Sequence, residues 1–166
     1  HDPEEAMFMA DRIALMREGH IVQTGAPADL YCRPVEPFVV RFFGEVNEFE
    51  GVVHDGMVAT PAGTIPAGPL PQGAAVTVLV RPEALRVAGP QATGDANPGP
   101  AARVIAARLL GRASLLHLEV RNAAGAPRHL HARVPGVCLP GSGQVVGLAL
   151  DASQVFVFPR EPAASA

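Results

Sequence analysis

Residues 74–87 read AAVTVLVRPEALRV, and this stretch decides the fold class. Its first half is rich in β-branched residues and therefore predicts a strand. Pro82 cannot donate a backbone hydrogen bond to a sheet, so the strand must break there. The apolar residues after Pro82 predict a second short strand. Two short strands separated by a break are typical of small β-barrels and sandwiches.

The sequence on both sides of this stretch continues the pattern. Residues 49–65 predict a hairpin that turns at Asp55-Gly56, a strong turn dipeptide. Strand-like segments with β-branched content or alternation follow in ARVIAARLLGRASLLHLEV (102–120), RHLHARVP (128–135) and QVVGLALDASQVFVFP (144–159). Between them, AGPQATGDANPGPA (88–101) has the composition of an exposed loop. Seven or eight short strands at this spacing predict a small β-barrel or sandwich.

The first 44 residues follow a different pattern. Asp2 and Glu5 form an Asp-x-x-Glu capping box, and Pro3 suits the first helical position, so a short helix is expected over residues 3–10. Two short strands and two brief helices are predicted next, by RIALMREGHIVQTG (12–25), APADLYCRP (26–34) and VEPFVVRFFG (35–44). A segment of this size cannot enclose a core of useful size, which indicates the end of a larger domain.

The apolar face of the last of these helices is predicted to consist of Phe38, Val39, Phe42 and Phe43. Such a face must pack against other parts of the protein. It is expected to be core or a joint between domains.

Composition excludes several classes of function. All thirteen basic residues are arginine and the formal net charge is −3, so there is no basic patch for nucleic acid. Charges interrupt every apolar stretch before it reaches the roughly 18–20 residues of a membrane span. Cys32 and Cys138 have no metal or redox spacing. A reduced cytoplasmic setting is therefore expected.

Residues 1–47, HDPEEAMFMADRIALMREGHIVQTGAPADLYCRPVEPFVVRFFGEVN, resemble the last part of the nucleotide-binding domain of ATP-binding-cassette (ABC) importer ATPases. The resemblance includes the His-Asp switch motif, Ala-Asp-Arg-Ile, Gly-x-Ile-x-Gln-x-Gly, Pro-x-x-Leu-Tyr-x-x-Pro and Phe-Val-x-x-Phe-x-Gly. VLVRPEALRV (78–87) resembles the Val-Arg-Pro-Glu segment of the transport-associated OB (TOBE) domain, a regulatory domain that follows the ATPase domain in these subunits.

This resemblance implies a mainly β fold, in which an OB-like (TOBE) β-barrel or sandwich follows a short α/β remnant of the ABC ATPase domain. Residues 1–44 would end the nucleotide-binding domain, residues 45–160 would form the regulatory β-domain, and residues 161–166 would be a disordered tail. The implied function is the C-terminal regulatory part of a transport-coupled ATPase subunit, which mediates contacts between two ATPase subunits.

The resemblance also implies a role for His1 as the switch histidine, which acts near the γ-phosphate of ATP in the intact parent subunit. An imidazole can donate a hydrogen bond to a phosphoryl oxygen as charge develops during transfer. The phosphate-binding motif Gly-x-x-x-x-Gly-Lys-[Ser/Thr], the strand with its magnesium-binding Asp and catalytic Glu, and the Leu-Ser-Gly-Gly-Gln signature do not occur in the 166 residues. ATP and Mg²⁺ are therefore expected as cofactors of the intact subunit, and no cofactor is expected in this chain alone.

Cargo and partners are also implied by the resemblance. Segments such as FFGEVNEFEG (42–51) and QVFVFP (154–159) are most similar to ferric-iron and polyamine importer subunits, which favours iron(III), with polyamine, sugar or another cargo as alternatives. The implied partners are a second copy of the subunit, the transmembrane permease subunits and, indirectly, a periplasmic substrate-binding protein. The implied location is the inner face of the bacterial plasma membrane, with no nucleic acid bound.

Two rival functions come from other classes. A stand-alone β-barrel that binds a small ligand, for example an oxyanion, would account for residues 45–160 but gives the first 44 residues no purpose. An OB module that binds nucleic acid is disfavoured by the sparse aromatic residues and the missing basic stripe.

Two groups of residues allow sharper hypotheses. His129 and His131 share one face of a strand, so with His117 or Cys138 they could bind a metal, although a solvated strand face is the simpler reading and no metal is predicted. Arg81 and Glu83, on either side of Pro82, could form an ion pair or contact an anion, and structural pairing is favoured.

Overall fold

The computed structural model describes residues 2–88 and 99–160. Contacts divide the chain into two compact units, the first ending at Val46 and the second beginning at Asn47. The sequence places its division two residues earlier, between residues 44 and 45. None of the helices in the described part of the chain has the length and apolar character that crossing a membrane requires.

The first unit contains three short helices and a two-stranded ribbon. Their bounds are α1 (Pro3–Met9), β1 (Ile13–Arg17), β2 (His20–Gly25), α2 (Pro27–Cys32) and α3 (Pro37–Phe42). Strands β1 and β2 pair antiparallel. The turn between them uses positive φ angles of 52° at Glu18 and 81° at Gly19. All five elements lie where the sequence predicts them.

A small core of Leu15, Leu30, Val39 and Phe43 holds the first unit together. The predicted face of α3 is partly wrong, because Val40 is fully buried while Phe42 is 39% exposed. Residues 39, 40 and 43 share one face of a helix at the spacing of one turn, and Phe42 falls beside it. Large apolar side chains elsewhere in this unit are exposed: Phe8, Met9, Met16, Ile21 and Val35.

The second unit contains ten strands within its described residues, more than the seven or eight that the sequence predicts. They are β3 (Asn47–His54), β4 (Met57–Thr60), β5 (Gly63–Pro66), β6 (Ala75–Val80), β7 (Leu85–Ala88), β8 (Ala101–Leu109), β9 (Ala113–Arg121), β10 (Pro127–Pro135), β11 (Val145–Leu150) and β12 (Val155–Pro159). They form two antiparallel five-stranded sheets, in the orders β10-β9-β8-β11-β7 and β12-β6-β3-β4-β5.

Two corners carry the chain from one sheet to the other. The first is the 3-10 turn Pro82–Ala84 between β6 and β7, and the second is the 3-10 turn Ala152–Gln154 between β11 and β12. β6 pairs with β12 while β7 pairs with β11, so the two corners lie side by side. The N–H of Asp151 donates to the carbonyl of Ala84 at 2.8 Å. These two segments, which we call the paired corners, join the sheets.

Alternation along the strands fills the interior of the second unit. In β9, Ser114, Leu116, Leu118 and Val120 are buried, while the residues between them point outward. The β10 end of its sheet also packs against β7 and the first corner, so this sheet curls until its two ends meet. The curled, mainly β architecture confirms the OB-like fold expected from the sequence.

Candidate functional site

The predicted catalytic residue, His1, lies outside the described residues, as do the predicted tail (161–166) and most of the predicted loop (89–98). The helix start beside His1 is described. The side chain of Asp2 accepts hydrogen bonds from the backbone N–H groups of Glu4 and Glu5, at 2.8 and 3.4 Å. Asp2 is therefore the N-cap of α1, as its sequence predicts.

The first of the paired corners holds two charged side chains of the Arg-Pro-Glu segment. Arg81 is only 1% exposed, and its guanidinium lies 5.5 Å from the centre of the Phe156 ring on β12. Glu83 accepts a hydrogen bond from Nη1 of Arg133 on β10, at 2.8 Å. The sequence suggested an ion pair between Glu83 and Arg81. It gave no sign of Arg133, which lies fifty residues further along the chain. The Glu83–Arg133 pair ties β10 to the corner where the barrel closes.

The second corner is held by Asp151. Its carboxylate accepts hydrogen bonds from Oγ and the backbone N–H of Ser153, at 2.6 and 3.1 Å, and from Nη2 of Arg86 on β7, at 2.8 Å. These hydrogen bonds, that of the Ser153 hydroxyl first and that of Arg86 second, lower the pKa of the Asp151 carboxyl from 3.8 to about 2.

We expect this carboxylate to make the stability of the protein sensitive to acid. Because its pKa is lower in the folded chain, its contribution is complete above pH 3.8 and is lost as the pH falls towards about 2. In Asp151→Asn that contribution is absent, so the difference in unfolding free energy between the two proteins should shrink across this range. Chemical denaturation at a series of pH values measures it.

A second variant checks the cause of this effect. Ser153→Ala removes the hydroxyl donor, so the pKa of Asp151 in the folded chain should lie nearer 3.8. The acid-dependent loss should then be smaller, and complete at a higher pH, than in the unmodified protein. A difference between the unmodified protein and Asp151→Asn that stays constant from pH 3.8 to about 2 would contradict the assignment.

The three candidate histidines lie on the outer face of the curled sheet, on neighbouring strands. His117 on β9 is directly opposite His131 on β10, and their ring centres are 4.6 Å apart. His129 is opposite Glu119, with 3.9 Å between Nε2 and Oε2. The structure thus brings His117 and His131 together, as the shared face predicts.

In the part of the chain that the structure describes, no third metal ligand joins this pair. Within the described residues, no group of three or more His, Cys, Asp or Glu side chains has an arrangement suited to a metal ion. Cys138, the other candidate ligand, follows β10, and its backbone N–H donates to Oγ of Ser114 at 2.9 Å. The three-ligand metal hypothesis therefore has no support from the geometry. Cys138 and the exposed Cys32 are both free thiols.

Asn47 has a structural role that the sequence does not predict. It is 7% exposed. Its Oδ1 accepts from the backbone N–H of His131 at 2.7 Å, while its Nδ2 donates to the carbonyl of His131 at 2.9 Å and to that of Val80 at 3.4 Å. The amide thus supplies the donor and acceptor that a neighbouring strand would offer to β10. Its partner is 84 residues away, so no local pattern could have revealed it.

One end of the curled sheet exposes several large apolar side chains. Leu110 lies in the turn between β8 and β9, and Val137 and Leu139 follow β10. A hydrogen bond from the N–H of Gly136 to the carbonyl of Arg112, at 2.9 Å, brings the segment after β10 next to that turn. These three residues, which we call the apolar end, are 51%, 75% and 51% exposed. Clustered apolar exposure of this kind marks interaction surfaces.

Comparison with known proteins gives a consistent picture. Residues 78–158 match the family model of the TOBE domain. The chain is 38% identical over 158 residues to the Fe(3+) ions import ATP-binding protein FbpC of Streptomyces coelicolor, covering 95% of this chain and 42% of that protein. It is 35% identical over 160 residues to a sulfate/thiosulfate import ATP-binding protein of Chromobacterium violaceum, covering 94% and 43%.

A third relative is the spermidine/putrescine import ATP-binding protein PotA of Marinobacter nauticus, 34% identical over 131 residues, with 72% of this chain and 34% of that protein covered. The chain thus spans less than half the length of these relatives. Among solved structures, the cytoplasmic molybdate-binding protein ModG with molybdate bound has a similar fold, with a TM-score of 0.50 and 13% identity, covering 69% of this chain and 96% of ModG.

Proposed function

We propose that the chain is the C-terminal regulatory part of an ABC importer ATPase, because residues 78–158 match the TOBE domain and the chain is 38% identical over 158 residues to an importer ATP-binding protein. The observation that carries the proposal is the extent of the similarity. A match over 95% of the chain must include most of residues 1–46 as well as the β-barrel. A stand-alone ligand-binding barrel would not need the first unit.

In this proposal residues 1–44 end the nucleotide-binding domain, and residues 45–160 form its regulatory β-domain. The exposed apolar side chains of the first unit support the assignment of residues 1–44 to the end of a nucleotide-binding domain. Phe8 is 91% exposed and Met9 74%. Side chains of this size are normally buried, so their exposure is expected where another part of a larger domain covers them. The subunit would work in the cytoplasm, at the inner face of the membrane, against its permease.

ATP hydrolysis by the intact subunit tests the proposal. We expect His1→Ala to lower the ATPase rate roughly 10²-fold, the effect of removing a hydrogen-bond donor that stabilises transition-state charge. His20→Ala, an exposed histidine on β2, should leave the rate unchanged. The 166-residue chain alone should hydrolyse no ATP, because it contains no phosphate-binding loop. A His1→Ala subunit with an unchanged rate would contradict the proposed role.

For the cargo, we propose iron(III). Iron-import subunits from two Streptomyces species are 38% and 35% identical to the chain over 158 residues. Sulfate, glycerol-3-phosphate and polyamine import subunits have identities between 34% and 36% over 120–162 residues, and two further sulfate import subunits reach 45% and 42% over 82 and 86 residues, which keeps those cargos as alternatives. Uptake of each labelled cargo by cells that lack the intact subunit separates them, because only one uptake should fall.

We also propose that the regulatory domain contacts a second copy of itself through the apolar end. Light scattering should then show the chain to be at least partly dimeric. Val137→Asp should weaken association by roughly tenfold, because it places a charge in an apolar contact. Val52→Asp, at a 55% exposed valine on the other sheet, is the matched control and should not change it. A chain that stays monomeric at every accessible concentration would contradict this contact.

A further inference from the structure

A cavity of about 200 Å³ opens on the outer face of the curled sheet, over β8, β9 and β10. Its polar lining consists of Arg108, His117, His129 and His131. Ile105 and Ala106 of β8 complete the wall, with the buried Leu118 beneath. The cavity has a local cause. Ala106 lies directly opposite His117, and its methyl group leaves open the space that a larger residue would fill.

A register shift deepens this opening. The pairing of β8 with β9 shifts between Val104 and Ala106, so that Ile105 is an extra residue in β8. Such a bulge turns the side chains beside it in new directions. Arg108, two positions after Ala106, and Ile105 both line the cavity. The bulge at Ile105 therefore shapes the cavity and also positions the guanidinium of Arg108 beside it.

The charges around the cavity favour an anion. Among the described residues, the lining contains one guanidinium and three imidazoles but no carboxylate. A guanidinium donates up to five hydrogen bonds, and an imidazole donates at least one in either protonation state. Glu119, the nearest acid on β9, stands opposite Arg103 on one side and opposite His129 on the other. Glu83, near the other end of the face, is bonded to Arg133.

The same facts disfavour a metal cation. The permanent charge of Arg108 repels one, and the described residues offer no set of three ligands. The volume also exceeds that of a bare ion, and it is large enough for a tetrahedral oxyanion or a short polycarboxylate.

We propose that this cavity binds a small anion with several oxygen acceptors, held by Arg108 and by the paired imidazoles of His117 and His131. Binding would join β8, β9 and β10 through one ligand. A role for this binding in regulating transport rests on the proposed function, whereas the binding itself does not.

Isothermal titration calorimetry of the whole chain at low ionic strength tests the site, with sodium phosphate, sodium sulfate and trisodium citrate as probes. These distinguish an inorganic oxyanion from a carboxylate. At least one probe should bind.

Variants locate the binding. Arg108→Gln should weaken it by about tenfold or more, since it removes a charge-assisted donor, and His117→Gln should also reduce the affinity. Arg103→Gln is the matched control, an arginine on β8 that faces Glu119 and does not line the cavity. It should change the affinity less than twofold. Circular dichroism of each variant checks that the fold is retained.

Three results would overturn the site. One is the absence of heat for every probe up to about 10 mM, which corresponds to a binding free energy weaker than about 3 kcal/mol. Another is an equal loss of affinity in Arg103→Gln and Arg108→Gln, which would mean that the anion is attracted to any arginine of this face and not to the cavity. The third is zinc binding that His117→Gln abolishes while the anions do not bind. Because the assay uses neither ATP nor a transporter, its failure is distinct from a failure of the proposed ATPase role.

Discussion

Leu118→Ala is expected to lower the free energy of unfolding by about 2–5 kcal/mol, the range for truncating a fully buried leucine. Leu118 lies in the middle of β9 and has no exposed surface. Its strand has a partner on each side, β8 and β10, so the surrounding backbone cannot collapse easily into the space left behind. Chemical denaturation followed by circular dichroism measures the loss.

A matched leucine supplies the control. Leu109, at the end of β8, is 49% exposed. Its replacement by alanine should change the unfolding free energy by no more than about 0.5 kcal/mol, as for other surface substitutions. Equal losses for the two variants would show that the buried face of β9 has been assigned wrongly.

Asn47→Ala is expected to cost about 1–3 kcal/mol for the polar groups that it leaves without their partner inside the protein. The asparagine side chain satisfies both the N–H and the carbonyl of His131, and it also donates to the carbonyl of Val80. Asn47→Asp should be destabilising too, although it has the same shape, because a carboxylate cannot donate to these carbonyls. Denaturation together with amide hydrogen exchange at His131 measures both effects.

Asn122 is the comparison for Asn47. Its Oδ1 accepts from the backbone N–H of Ala126 within the exposed β9–β10 hairpin, at 2.8 Å. Water can replace that bond, so Asn122→Ala should cost clearly less than Asn47→Ala and should leave exchange at His131 unchanged. Faster exchange at His131 in both variants would instead indicate general loosening of β10.

Local sequence signals were enough to locate most elements of the fold. The Asp55-Gly56 turn joins β3 and β4, with φ angles of 51° and 72° at these two residues. Pro82 ends β6, as a residue without a donor must. The number of strands was underestimated, in part because the second corner interrupts residues 144–159 without a proline: Asp151 and Ser153 form that turn through side-chain hydrogen bonds.

The candidate site was only partly predictable, for a related physical reason. The shared face of His129 and His131 follows from strand period alone, and the position of His117 opposite His131 required the register of β9 on β10. The contribution of Arg108 depends on a bulge, which has no clear signature in the letters around Ile105. The partners of Glu83 and Asn47 lie on β10, 50 and 84 residues further along the chain. Local sequence patterns do not predict contacts over such separations.

The paired corners have a consequence for the order in which the protein folds. β6 is central to its sheet only because β12, at residues 155–159, covers one of its edges. During synthesis that edge stays open until β12 has left the ribosome, about 75 residues after β6. A ribosome that stalls within β11 would therefore present a valine-rich strand with unpaired backbone groups, the kind of edge that recruits other chains. The last strand of the barrel is thus also its protection against aggregation.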